Sequence, residues 1–325
     1  VNTINANLIP QLWASKVQKE GKIASWFNKL SASDGSKPIH TNTELVNKKG
    51  VAITFGLAMD LTGNGITGNS TLVGSEDTLT VYDFKVTIDQ VRNAVSAYEW
   101  DDKKPAYEQW PLIKDALVTW FANWQDKTLV TKLTASPTGT AATGEWFSAA
   151  SAGTEAAIVA GDKLTCALIS KAKRRAENHT PVIQPFKVEG EDMYVMLISI
   201  NAGRDLRTDS VWIAAQQSAG VRDQLKNPIF SGAMGIWDGV AVYTWKRVSV
   251  TATGSSSALV AHNLLLGKQA ACYAIGRNMF PIKQDSDYGN VLGQGVAFWG
   301  GVEKTVYNSK DYGVIQLLTA AALDT

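Results

Sequence analysis

The sequence predicts an α+β fold, in which a long β-hairpin and a tryptophan-striped helix are attached to a mixed body of helices and strands. The first observation behind this is alternation between Lys49 and Ile88. Val51, Ile53, Phe55, Leu57 and Met59 share one face of an outgoing arm, with Ala52, Thr54, Gly56 and Ala58 on the other. The return arm sets Tyr82, Phe84, Val86 and Ile88 against Asp83, Lys85 and Thr87. A period of two with one apolar face marks a strand. The second observation is the spacing of Trp110, Ile113, Leu117, Trp120, Phe121 and Trp124, which forms one stripe of an α-helix. The third is that the other helical and strand patterns follow one another without the regular βαβ alternation of a doubly wound sheet.

Taken in order, Ile9 to Leu30 carries helical spacing (Leu12, Trp13, Val17, Ile23, Trp26, Phe27, Leu30) broken near Gly21. A segment this short has no core of its own and must lie on its own body or on an adjacent chain. The hairpin follows, with a tip from Asp60 to Leu79 that far exceeds the usual connection of about two to five residues. Gly63, Gly65, Gly68 and Gly74 leave that tip unable to fill a core. A flexible finger on two stiff arms is placed to reach a neighbour. The tryptophan helix spans about 107–133, with Pro111 tolerable in its first turn. Three tryptophans on one stripe predict a sheet or second helix beneath it. Ser136 to Glu155 reads as a loop, and Asp162 to Asn178 as a second helix. Met193 to Ile200 is a continuous apolar run, as in a strand buried on both faces. Asp209 to Gln217 begins a further helix with Asp209 or Ser210 as N-cap. Strands follow at Val240–Trp245 and Arg247–Thr251, then an apolar helix or strand at Leu264–Ile275. The chain closes with strands at Val296–Trp299, Lys304–Tyr307 and Val314–Leu318.

Composition narrows the function. At 325 residues and 35.0 kDa the chain can bury a substantial core, and 45% hydrophobic residues describe an ordered protein. No apolar run reaches bilayer-spanning length, and the first residues lack the pattern of a secretory signal. Val1 in place of Met fits removal of an initiator Met or of a propeptide. Cys166 and Cys272 form no framework and read as reduced thiols, which points to cytosolic synthesis. His40, His179 and His262 lie far apart without Cys or His at ligand spacing, so no metal site is expected. Lys+Arg total 31 against Asp+Glu 30, whereas a protein gripping nucleic acid needs a strong basic excess. The basic cluster Lys171, Lys173, Arg174 and Arg175 reads as a solvated helix face.

No enzyme motif rises above background. Gly63, Gly65 and Gly68 spell the letters of a dinucleotide-binding turn, but a strand rather than a helix follows, so no phosphate-binding helix terminus is formed. The glycines fit turns with positive φ instead. Glu76 and Asp77 at the tip suit a basic patch on another subunit or simple solubility. No phosphate loop, nucleophile elbow or metalloprotease motif is present, and no cofactor is expected.

Four blocks carry a family resemblance: the finger GNGITGNSTLVGSEDTL, the segment INAGRDLRTDSVWIAAQQ, the block NPIFSGAMGIWDGVAVY, and the closing run DYGNVLGQGVAFWGGVEKTVYNSKDYGVIQLLTAA. In this order they resemble the major capsid proteins of N4-type tailed bacteriophages. Glu303 stands where a second basic residue ahead of Lys304 is more usual. The resemblance implies an HK97-like fold, with an N-terminal arm (1–48) and an extended E-loop hairpin (49–88). A peripheral or P domain (89–154) would hold the long spine helix, an axial or A domain would span 155–285, and C-terminal strands (286–325) would return to the P domain.

It further implies a virion protein, made in the bacterial host cytoplasm, that self-assembles as pentamers and hexamers around packaged double-stranded DNA. The expected partners are copies of itself, a separate scaffolding protein, a portal protein and, in some shells, a decoration protein. Trp13, Trp26, Gly63, Gly65, Gly68, Glu76 and Asp77 are the expected inter-subunit contacts. The tryptophan-helix stripe is the expected core. The rival readings are a decoration or tail subunit, and an α+β acyl hydrolase whose serine would need His179 or His262.

Overall fold

The structure, a computed structural model, describes residues 27–102, 109–135, 146–150, 153–188, 191–219 and 234–323. The chain enters through a single helical turn, Phe27–Leu30, and two short strands, β1 (Ser31–Ala32) and β2 (Ile39–Asn42). The hairpin follows as β3 (Ala52–Ala58) and β4 (Val81–Thr87), and the chain turns at once into β5 (Asp89–Tyr98). The long helix runs Gln109–Leu133, about 37 Å at 1.5 Å per residue. Beyond it lie β6 (Trp146–Ser148), the helix Cys166–Glu177, β7 (Phe186–Val188) and β8 (Glu191–Ile198). Two helices, Ile200–Arg207 and Ser210–Ala219, precede β9 (Gly235–Trp237), β10 (Val240–Thr244), β11 (Val250–Thr251) and β12 (Val260–Leu266). The last strands are β13 (Ala271–Ser286), β14 (Val291–Lys304), β15 (Val306–Tyr307), β16 (Lys310–Asp311) and β17 (Val314–Ala320).

Two sheets organise the body. The five-stranded sheet has the order β1-β2-β13-β14-β5, and the larger one runs β6-β17-β12-β8-β10-β9, with β11 and β7 appended. One core joins them. Leu117, Phe121, Leu129 and Leu133 of the long helix cluster with Tyr273, Ile275, Val296 and Phe298 from the smaller sheet and with Val195, Leu197 and Leu264 from the larger. Phe298 is the hub, its ring 5.5 Å from Phe121, 5.9 Å from Trp124 and 5.9 Å from Tyr273. A second core covers the other face of the larger sheet, where Ile169, Ala172 and Ala176 pack on Met196, Ile198 and Val242. The continuous apolar run of β8 follows directly, because Val195 and Leu197 face one core and Tyr194, Met196 and Ile198 the other.

Helix starts are locally specified. Ser199 accepts a hydrogen bond from the Ala202 N–H (3.1 Å) at the start of Ile200–Arg207. Asp209 caps the next helix by accepting from Val211 N–H (3.1 Å), while its other oxygen holds the Cys166 N–H at 2.8 Å.

Several expectations are refined. Of the expected helix from Ile9 to Leu30, only Phe27–Leu30 falls among the described residues, and it packs on its own body: Phe27, Leu30 and Ile39 are buried in the main core. Leu264–Ile275 is not one element; Gly267 separates β12 from β13, and a Cβ there would meet the Gln184 carbonyl oxygen at 2.7 Å. The expected strand Val296–Trp299 is a fragment of the 14-residue β14. The division expected at 285/286 falls at the end of β13, which pairs with β14 through its outer residues (Ser286 opposite Val291). Among the closing strands β14 lies in the smaller sheet, whereas β17 pairs with β12 in the larger one.

Candidate assembly surfaces

β3 and β4 form a two-stranded ribbon of their own, in register with Phe55 opposite Phe84. Only its root is buried. Ile53, Phe55 and Val86 pack on Cys272 and Ala274 of β13; each such side chain contributes about 1.5–3 kcal/mol when fully buried. The root lies against the five-stranded sheet on the face opposite the long helix, since Tyr273 and Ile275, between and beyond those two residues, belong to the main core. Gly301 makes this approach possible, because a Cβ there would collide with the Thr87 carbonyl oxygen.

Beyond the root the ribbon is bare. Leu61, Leu72 and Leu79 are each about 60% exposed and Val73 is 81% exposed. The predicted tip residues lie together in this loop. Gly65, Gly68 and Gly74 adopt φ of +67°, +74° and +89°, a region open chiefly to glycine. Gly63 has a different reason: its N–H donates to Asp77 at 2.6 Å, and a Cβ on it would strike that carboxylate. Glu76 accepts from the Gly74 N–H at 2.8 Å. The two acids therefore brace the tip across its own backbone. No helix follows the glycines, so the dinucleotide-binding spelling has no phosphate site behind it. Trp13 and Trp26 lie outside the described residues.

The stripe on the long helix divides. Leu117 and Phe121 are buried, whereas Trp110, Ile113, Trp120 and Trp124 are half-buried, three of these four packed on the edge of the core (Ile113, Trp120 and Trp124). The deeper contact comes from the next turns, Leu129, Val130 and Leu133. Asp126 is a contact that the hydrophobic pattern hides. Its carboxylate accepts from the Phe27 N–H (3.2 Å) and lies 3.9 Å from the Arg247 guanidinium. An acid on the buried side of a helix is the signal that could have flagged it. Glu303 pairs with Lys132 at 2.6 Å and so ties the last turn of the long helix to the end of β14.

The remaining candidates are structural. Lys173 bridges to Asp238 (3.1 Å), Arg175 donates to the Trp146 carbonyl (2.9 Å), and the Lys171 and Arg175 cations sit over the Phe147 ring. Lys173 and Arg175 brace this helix, while Lys171 and Arg174 are exposed, as expected of a solvated face. His262 is engaged by Glu155, Thr251 and Gln316, and His179 by the Pro181 carbonyl. Both thiols are buried, and burial pushes Cys166 up to about 12 and Cys272 to about 11. Among the described residues no group of acids, histidines or cysteines could hold a metal, and no helix is long and apolar enough to cross a membrane.

A two-sheet body threaded by one long helix, with a ribbon that leaves its apolar tip uncovered, is the HK97-like fold of viral shell subunits. The chain is similar to the capsid of Ralstonia phage GP4, at TM-score 0.81 and 27% identity over 93% of this chain and 92% of that one. The Cyanophage Pam1 capsid matches at TM-score 0.79 and 20% identity, with 92% of each chain covered. The major capsid protein of Pseudomonas phage KPP25 is 25% identical over 358 residues, 95% of this chain and 94% of the relative. The model of the phage capsid protein family matches residues 10–323, and the chain belongs to that family. It is a structural protein of the virion, a major capsid protein of an icosahedral shell and not an enzyme.

Proposed function

We propose that the chain builds an N4-type phage head by closing head-to-tail into pentamers and hexamers, with the finger of each copy lying across the adjacent copy. The carrying observation is the contrast along one ribbon: Ile53, Phe55 and Val86 buried at its root, Leu61, Leu72, Val73 and Leu79 exposed at its tip. A monomer gains nothing from four exposed aliphatic side chains on a finger that its own body does not cover. A neighbour that covers them gains their burial.

In this reading residues 49–88 are the E-loop and 1–48 an arm that clasps a further neighbour. Residues 89–154 form a P domain built on the spine helix, 155–285 an A domain, and 286–325 the strands returning from it. Contacts in rings of five and six copies must bend, and the tip glycines supply that freedom. Net charge of +1 suits a shell that encloses double-stranded DNA without holding it tightly. A separate scaffolding protein directs assembly in the host cytoplasm, a portal protein occupies one vertex, and a decoration protein is an optional outer partner.

Deleting residues 60–79 tests the finger. The expected product is a soluble, folded subunit that forms no shells in electron micrographs. Shells of normal size from the deleted protein overturn the proposal.

A further inference from the structure

We infer that the seat for the incoming finger is the outer half of the five-stranded sheet, on the face opposite the long helix, and that Arg92 and Arg277 set its register by pairing with Glu76 and Asp77 of the next copy. The inference rests on the finger reading above and adds the surface that receives it.

Three observations converge on that face. The first is continuity. Its inner half, around Cys272, Ala274 and Gly301, is already occupied by the apolar side of a β-ribbon, this chain's own hairpin root. Cover ends at Gly276, where a Cβ would stand 3.1 Å from the last side chain before β5, Ile88. Further out the same face carries on through Trp299, Phe280, Ala297 and Ile282, set by the pairings of Arg277 with Trp299, Phe280 with Ala297 and Ile282 with Gly295. Among the described residues no hydrophobic cluster covers it as the root covers the inner half; Ala297 at its floor is buried, but Trp299 remains 39% exposed.

The second observation is charge. Arg277 is clamped on this face, its guanidinium 3.7 Å from the Phe280 ring centroid and 5.4 Å from that of Trp299. Arg92 stands opposite Ala297 on the adjoining strand. The side chains that β5, β13 and β14 place here by register, outward of Gly276, include no carboxylate among the described residues. The tip from Asp60 to Leu79 is the complement: three acids, Asp60, Glu76 and Asp77, and no Lys or Arg. Complementary fields of this kind fix register and suppress wrong pairings.

The third is relief. Positions 293 and 295 of β14 are glycines on this face; a Cβ on Gly295 would meet Ala94 Cβ at 2.8 Å. A backbone can therefore lie close to the sheet between the flanking aromatic and Arg side chains. Each copy then has one uncovered tip and one uncovered seat at different places. Such a heterologous contact closes a ring when its rotation allows.

A charge exchange tests the seat. R92E/R277E and, separately, E76K/D77K are expected to cut shell yield about tenfold or more, with the unfolding midpoint of the unassembled subunit unchanged, and the four substitutions together are expected to restore shells. Because E76K/D77K also removes the two braces within the tip, a second arm uses T78C/S96C. Oxidation is expected to give a ladder of linked chains on a non-reducing gel, while buried Cys166 and Cys272 stay unreacted. Exchanges that leave the yield unchanged, a quadruple variant that stays defective, or a disulfide formed within a single chain overturn the assignment. If deleting 60–79 abolishes shells while R92E/R277E leaves them normal, the finger reading stands and this seat falls.

Discussion

Lys304 and Asp311 form an ion pair of 2.6 Å, with side chains only 8% and 3% exposed. The pair fastens the end of β14 to the small turn of β15 and β16, beside the root of the finger. Taking either charge out of water is costly, and the attraction offsets that cost only while both partners are present.

Asp311→Ala is therefore expected to destabilise the subunit by about 3–5 kcal/mol, because it removes the carboxylate from a buried ammonium. A Lys304→Met, Asp311→Leu double variant should recover most of that loss. Urea unfolding of the unassembled protein measures both, and equal losses in the two variants would contradict the account.

Phe298→Ala is expected to cost about 3–5 kcal/mol, since three rings and the seam between long helix and smaller sheet meet on it. A thermal scan should show a lower midpoint. Trp110→Ala, half-buried and outside that cluster, should cost clearly less.

Gly63→Val separates the shape of the tip from stability. The added side chain displaces Asp77 from the Gly63 N–H, yet exposed substitutions usually change stability by no more than about 0.5 kcal/mol. The expected variant unfolds like the parent but assembles poorly by sedimentation.

Stability should fall on the alkaline side. The Cys166 thiol is raised in the fold from 9.0 to about 12 and the Tyr194 phenol from 10.0 to about 12, both chiefly by burial. A raised acid stabilises the fold fully below its unfolded value, and the contribution is lost as pH rises toward the folded value. Urea midpoints should hold at pH 8 and decline between about 9 and 12. A Cys166→Ala, Cys272→Ala variant should begin its decline nearer pH 10, where the buried phenols come into play.

The parts of this molecule that were legible in the sequence are those with one clean period. Phe55 and Phe84 sit on alternating arms and face each other in the ribbon. Leu117 and Phe121 sit on a helical stripe and are buried together. β13 was not legible because its alternation is broken by register shifts between Ile275 and Phe280. Pro281 also argues against a central strand. It is tolerated because β2 pairs only with Ala271 to Ala274, leaving that edge open. Asp126 and the pair Lys304–Asp311 were hidden for another reason: a charge reads as surface until its partner, brought in by the fold, is known. The proposed seat around Arg277 is likewise a product of register, which sets the distant β5 beside the paired β13 and β14.

The finger root and the long helix rest on opposite sides of the same two strands, with Cys272 and Ala274 beneath one and Tyr273 and Phe298 beneath the other. Only one thickness of backbone separates them. In the proposed shell, a finger tilted by its neighbour would lever the helix through that backbone. Changes in the curvature of a growing wall would then reach the centre of every subunit as a mechanical load.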